Sequence, residues 1–222
     1  MTIHGQPYRT IWENGVEGTV EVIDQRFLPH QFAVRALSDV ETAAEAIRDM
    51  TVRGAPLIGA TAGYGMWLAV RDQPDDNALA VAQRAKVLLD AARPTAVNLT
   101  WATSRILSRI TAATPGSRRD AALDAAREIV EDEVHRSRQI GEHGCALIAQ
   151  CAARNPGRPV RILTHCNAGW LAAVDYGTAT APIYAARDHG IDIEVWVDET
   201  RPRNQGASLT AFELAEEGIP HA

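Results

Sequence analysis

The sequence predicts an α/β protein: a small N-terminal β-sheet with a helical domain, followed by the first half of a Rossmann-like parallel-sheet domain. β-branched alternation broken by turn residues fills the first 40 positions, and helical apolar periods run from Ser38 to Arg154. After Asn155-Pro156-Gly157 the order becomes strand, loop, helix, strand, loop, helix. That order builds a parallel sheet under crossover helices, with ligands at the carboxyl ends of the strands. The divisions predicted are an N-terminal β/helical domain over 1–117, a long connecting helix over 118–155 and an incomplete Rossmann-like catalytic domain over 156–222.

Taken in order, Tyr8 to Trp12 and Thr19 to Ile23 read as strands joined through Asn14-Gly15 and Gly18, with a further turn near Pro29. Ser38 with Glu41 three residues on predicts a capping box opening a helix through Met50, with Val40, Ala43, Ala44 and Ile47 on its apolar side. Gly54 to Val70 is weakly polar over 17 residues, short of the ~20 strongly apolar residues that span a bilayer, and reads as a buried helix. Asn77 to Ala92 is amphipathic, Arg93-Pro94-Thr95 opens another helix, and Ser117 to Arg154 is a long helix loosened by Gly141 and Gly144. Val160 to Thr164 predicts a short buried strand, Ala179 to His189 a helix, Ile191 to Val197 a strand and Ala207 to Glu217 a helix. After Gly218-Ile219-Pro220-His221-Ala222 a third strand should start, and nothing follows.

At 222 residues the chain holds one large domain or two small ones, taking about 150 residues per domain as a soft prior. Twenty-two Lys+Arg against 28 Asp+Glu give a net charge of −6, which argues against nucleic acid or an anionic membrane as partner. Lys86 is the only lysine, so an anion site must use arginine forks or backbone N–H groups. Cys145, Cys151 and Cys166 are odd in number and lack C-x-x-C spacing, which points to no disulfide framework, no zinc and a reducing cytoplasm.

Cys166, in THCNAGW directly after a strand, is the foremost chemical candidate; Cys145 and Cys151 read as core residues of the long helix. Cys166 as a small apolar plug at the strand end weighs equally on position alone. The run Asp198 to Gly206 also follows a strand, and its acids, arginines and amide suit a polyol phosphate, with Asp198 the local candidate for a general acid or base. It could equally be a solvated turn. Arg53 before Gly54-Ala55-Pro56, and Arg93 before Pro94-Thr95, each set a guanidinium at a helix start, where orphan N–H groups favour phosphate without a metal. No G-x-G-x-x-G follows a strand and no P-loop motif occurs, so no nucleotide cofactor is indicated. His4, His30, His135, His143 and His189 show no ligand spacing.

VRGAPLIG (52–59), RPTAVNLTWA (93–102), IGEHG (140–144), THCNAGWLAAVDYGTATAPIYAA (164–186) and VDETRPRNQGASLTAFEL (197–214) stand together in this order. Jointly they resemble the family of S-methyl-5-thioribose-1-phosphate isomerases, ribose-1,5-bisphosphate isomerases and initiation factor 2B regulatory subunits, with HCNAGW on the thioribose-phosphate side. The resemblance implies an aldose-ketose isomerase of methionine salvage, working on a sugar phosphate without metal or cofactor, cytoplasmic and homodimeric. It implies Cys166 as the catalytic cysteine and Arg53, Gly54, Ala55, Arg93 and Gln205 as substrate contacts. The family's partner acid, an aspartate followed by Asn-Lys, has no counterpart before Ala222, so the expectation is a C-terminally truncated chain. On the same resemblance Asp198 orients the arginine loop and is not the acid. The alternatives left are the bisphosphate isomerase and a non-catalytic regulatory subunit.

Overall fold

A computed structural model describes residues 1–222. Asn14 starts the first well-formed hairpin: its side-chain oxygen accepts the amides of Val16 and Glu17, an Asx arrangement that turns the chain between β3 (Ile11–Asn14) and β4 (Thr19–Ile23). With β5 (Val34–Leu37) these strands make a three-stranded antiparallel sheet in chain order. The first predicted strand begins later than expected, at Ile11. Ahead of it lies a two-residue pair, β1 (Thr2–Ile3) and β2 (Gln6–Pro7), around His4 and Gly5 at positive φ. Neither that pair nor β5 carries a sequence signal, because β5 is four residues long and buries only Leu37.

Helix α1 (Val40–Arg48) is capped one position later than its sequence suggests. Asp39 accepts the Thr42 N–H at 2.7 Å, and the Thr42 hydroxyl accepts the Asp39 N–H in return, so Asp39 and Thr42 replace Ser38 and Glu41. It stops at Arg48, short of Met50, which stands at positive φ. Helix α2 (Ala55–Arg71) is buried from Leu57 through Met66, as its weak polarity predicts. Around it pack α3 (Asp75–Ala92) and α4 (Val97–Ala112). Helix α5 (Arg118–Arg154) runs unbroken for 37 residues. Gly141 and Gly144 do not loosen it; they let α6 (Ala181–Asp188) approach, since side chains there would strike Ala181 and Pro182.

The chain divides into two compact units, one of residues 11–26 and 33–132, the other of residues 1–10, 27–32 and 133–222. The second unit holds the parallel strands β6 (Val160–Thr164) and β7 (Ile193–Val197), paired from Val160 with Ile193 to Thr164 with Val197. A third run, expected only after Ala222, is formed by the chain's last residues: Val195 donates to the Pro220 carbonyl at 2.9 Å and Ala222 donates to Val195 at 3.0 Å, in parallel sense. This makes β7 central and β6 an edge. The expectation of a buried β6 therefore fails: Leu163 is 75% exposed beside its register partner Trp196, while Val195 of the central strand is fully buried. After β7, a turn of π-helix over Gly206–Thr210 leads into α7 (Ala211–Glu216). No helix is long and apolar enough to cross a membrane.

Candidate functional site

Cys166 follows the last residues of β6 by two positions and is half-buried, at φ 62°. A non-glycine residue in this left-handed region costs roughly 1 kcal/mol or more, so the surroundings must hold it. Two threonine hydroxyls do so. Thr200 Oγ1 accepts the Cys166 N–H at 2.7 Å while donating to the Asp198 carbonyl, and Thr210 Oγ1 donates to the Cys166 carbonyl at 2.6 Å. Tyr176, Thr200 and Asn204 in the same unit also have positive φ, so strained backbone gathers in the loops beyond the parallel strands.

The residues after Cys166 wrap a buried carboxylate. Glu213 of α7 is fully buried and accepts four donors: Asn167 Nδ2 at 2.9 Å, the Leu171 N–H at 2.8 Å, the Trp170 N–H at 3.2 Å and the Tyr184 hydroxyl at 2.9 Å. Burial pushes its pKa up to about 7 against the opposing pull of these donors. Burial likewise raises the Tyr184 hydroxyl well above its ordinary range, with the Glu213 charge adding to it. Gly169 is the only residue type that fits this loop, because a Cβ there would lie 1.7 Å from a Glu213 carboxylate oxygen. Gly177, at φ +78°, is pressed on Gly169 in turn, a Cβ falling 2.3 Å from its carbonyl carbon.

The loop after β7 is open by contrast. Asp198 is exposed, pairs with His165 Nδ1 at 3.0 Å and accepts the Thr200 N–H at 3.0 Å. The His165 hydrogen bond is the main cause that lowers the Asp198 pKa, followed by the Thr200 amide. Asp198 thus secures the start of the arginine loop through Thr200. Glu199, Arg201 and Arg203 are exposed, and Gln205 is half-buried just ahead of the π turn. Cys166 and Gln205 therefore stand in the two loops that leave the same ends of paired parallel strands.

Arg53, Gly54, Ala55 and Arg93 belong to the other unit. Gly54, at φ +89°, is the N-cap of α2, and Pro56 lies in the first turn. No side chain caps α2 or α4, so their first N–H groups face away from any internal acceptor of that kind. Gly59 of α2 abuts Asn98 of α4, which sets the starts of the two helices side by side. Arg53 and Arg93 are half-buried at these two starts. Two adjacent positive helix ends with a guanidinium each are suited to an anion.

Of the other cysteines, Cys145 is buried as expected and Cys151 is exposed, three residues before α5 ends. The expectation of a core Cys151 fails because that last turn has solvent around it: Gln150, Ala153 and Arg154 are exposed too. Glu213, Asn167, Thr200 and Thr210 escaped prediction. A signal existed for Glu213, since helical spacing puts it on the same face as Leu209 and Thr210, both buried. No group of three or more His, Cys, Asp or Glu side chains converges as a metal site.

Residues 51–222 match the family model described as the initiation factor 2 subunit family. The chain belongs to that family. Over all 222 residues it is 54% identical to a methylthioribose-1-phosphate isomerase of Methylocella silvestris, covering 60% of that protein. The corresponding protein of Methylobacterium nodulans is 55% identical over 221 residues, with 59% of its length covered. Among solved structures, 5-methylthioribose 1-phosphate isomerase from Pyrococcus horikoshii superposes with a TM-score of 0.86 at 35% identity, over 97% of this chain and 59% of that one. The delta subunit of initiation factor eIF-2B from A. fulgidus gives 0.85 at 35% identity, over 97% and 62%. The chain thus spans about 60% of the length of the curated relatives it matches.

Proposed function

We propose that this protein is an aldose-ketose isomerase that converts 5-methylthioribose 1-phosphate into 5-methylthioribulose 1-phosphate, with Cys166 as the reacting thiol. The observation that carries this reading is identity of 50–55% along the whole chain to proteins named methylthioribose-1-phosphate isomerase. The structural neighbours fit either an isomerase or an initiation factor subunit; the sequence relatives favour the first.

The substrate carries phosphate on its anomeric carbon, so its ring cannot open as a free hemiacetal does. Opening needs a proton at the ring oxygen, after which a hydrogen leaves C2 and one is delivered to C1, leaving the ketone at C2. In this reading the helix starts at Gly54 and Ala55, with Arg53 and Arg93, hold the phosphate, since guanidinium forks and orphan N–H groups match its oxygens. The Gln205 amide serves the sugar hydroxyls. The Cys166 thiol acts at the reacting carbons as base or as stabiliser of the developing charge, held there by Thr200 and Thr210. The same reading makes the protein a cytoplasmic homodimer with a sugar phosphate as its small-molecule partner.

The test is turnover of 5-methylthioribose 1-phosphate by the purified chain, beside Cys166→Ser and with ribose 1,5-bisphosphate as rival substrate. Ketose formation that falls by about 10³-fold or more in the serine variant is the expected result. Preference for the bisphosphate would move the substrate, and the absence of both turnover and binding of either sugar phosphate by folded protein would overturn the enzymatic reading in favour of a regulatory subunit.

A further inference from the structure

We infer that Glu213 is the positioning residue for Cys166: its buried carboxylate gathers the side chain or backbone N–H of Asn167, Trp170 and Leu171, and so fixes the loop that presents the thiol. The thiol's role rests on the isomerase reading; the loop's anchoring does not. Three independent observations meet on this carboxylate. All four of its hydrogen-bond donors are buried, and three of them come from the five residues that follow Cys166. Gly169 and Gly177 exclude a Cβ where the carboxylate and the loop backbone touch. Thr210, one helical turn before Glu213, donates to the Cys166 carbonyl and accepts from Asn167, so the same helix end grips the loop at the cysteine and at the residue after it.

The chemistry explains why a glutamate stands where a leucine would cost less. A buried carboxylate with no cation among its hydrogen-bond partners is expensive, and its ordinary compensation is a full set of donors. An apolar side chain would fill the space yet remove the carboxylate acceptor from the Trp170 and Leu171 amides and from Asn167, which keeps its bond to Thr210 Oγ1. Each lost acceptor would favour opening of the loop. The raised pKa of Glu213 is consistent with this environment, in which burial opposes its charge against four neutral donors.

The experiment measures alkylation of Cys166 by iodoacetamide in the native 222-residue chain, followed by peptide mass mapping, with exposed Cys151 as internal reference. Glu213→Gln keeps the shape but removes one acceptor oxygen. It should raise the Cys166 rate about threefold or more, and Glu213→Ala about tenfold, through local opening, with the Cys151 rate unchanged. Tyr184→Phe, which removes the one donor outside the loop, should leave the Cys166 rate within about twofold of the parent. A Cys166 rate in folded Glu213→Gln within about twofold of the parent would overturn the inference, as would loss of the whole fold in that variant, which would make Glu213 a general brace. Should Glu213→Ala fail to fold, Glu213→Gln decides alone. Altered alkylation in a protein without isomerase activity would remove the isomerase reading and leave the anchoring in place.

Discussion

Glu13 and Glu213 each hold a tyrosine hydroxyl at 2.9 Å, and otherwise they are opposites. Glu13, on β3, adds a two-pronged guanidinium from Arg127 at 2.8 and 2.7 Å and keeps an edge in solvent. The Arg127 hydrogen bond is the largest influence on it and holds its carboxyl below the ordinary range. Glu213 has more donors, all neutral and all buried, and its pKa rises to about 7. The number of hydrogen bonds therefore does not decide the charge of a carboxyl group. A cation and contact with water keep Glu13 ionised, while burial outweighs four neutral donors at Glu213.

The strongest way to break this contrast is to push the loop off the Glu213 carboxylate. Gly169→Ala would drive a Cβ to 1.7 Å from its oxygen, and Gly177→Ala one to 2.3 Å from the Gly169 backbone. Each should destabilise the protein by about 3 kcal/mol or more, read from urea unfolding. Gly116→Ala, also at positive φ but with nothing within 4 Å of its Cβ, is the control and should cost only about 1 kcal/mol. Equal losses at Gly116 and Gly177 would show that backbone conformation, and not the packing of the loop on Gly169, matters at Gly177.

The next effect is in pH. The folded Glu213 carboxyl binds its proton more tightly than in the unfolded chain, where the pKa is near 4.5. Its contribution is therefore complete below pH 4.5 and is lost as pH rises through about 7. Up to about 3 kcal/mol of stability should decline across that window. Glu13 has the reverse sign: its contribution is present above the ordinary carboxylate range and is lost as pH falls through its lowered value. Unfolding measured from about pH 5 to pH 7.5 should flatten in Glu213→Gln and keep its slope in Glu13→Gln. A slope left intact in Glu213→Gln would assign it to other groups.

The smallest effect sharpens the other side. Arg127 is half exposed, so Arg127→Ala should cost about 1 kcal/mol or less by thermal unfolding, and still less at high salt. A loss of several kcal/mol would mean that Glu13 depends on its cation as a buried group does.

Much of the architecture was legible in the sequence. The period of α2 showed a helix without a polar face, and the strand-loop-helix order after Pro156 showed a parallel sheet, because such patterns depend on neighbours only a few residues away. The third run was not legible: it was expected only after Ala222, whereas His221 already bridges to Val195 of β7. Short elements were not legible. The four residues of β5 and the two of β1 acquire strand geometry only from their partners, and α1 took Asp39 over Ser38 as its cap although either residue type could serve. The burial of β6 was misjudged because an apolar run does not reveal whether its strand is central or at an edge.

For the site, the sequence alone determined the chemical groups: a cysteine past one strand, an arginine-rich loop past the next, and two arginines before helix starts. These are local facts of residue type and punctuation. Only the tertiary structure decided what holds them, since Glu213 meets Asn167 across 46 positions and Cys166 meets Thr200 across 34. No local pattern shows that a glutamate in an apolar helix face will be closed over by a glycine-laced loop. That outcome depends on two distant backbones approaching closely enough to exclude water, and exclusion of water is what changes the proton affinity of the carboxylate.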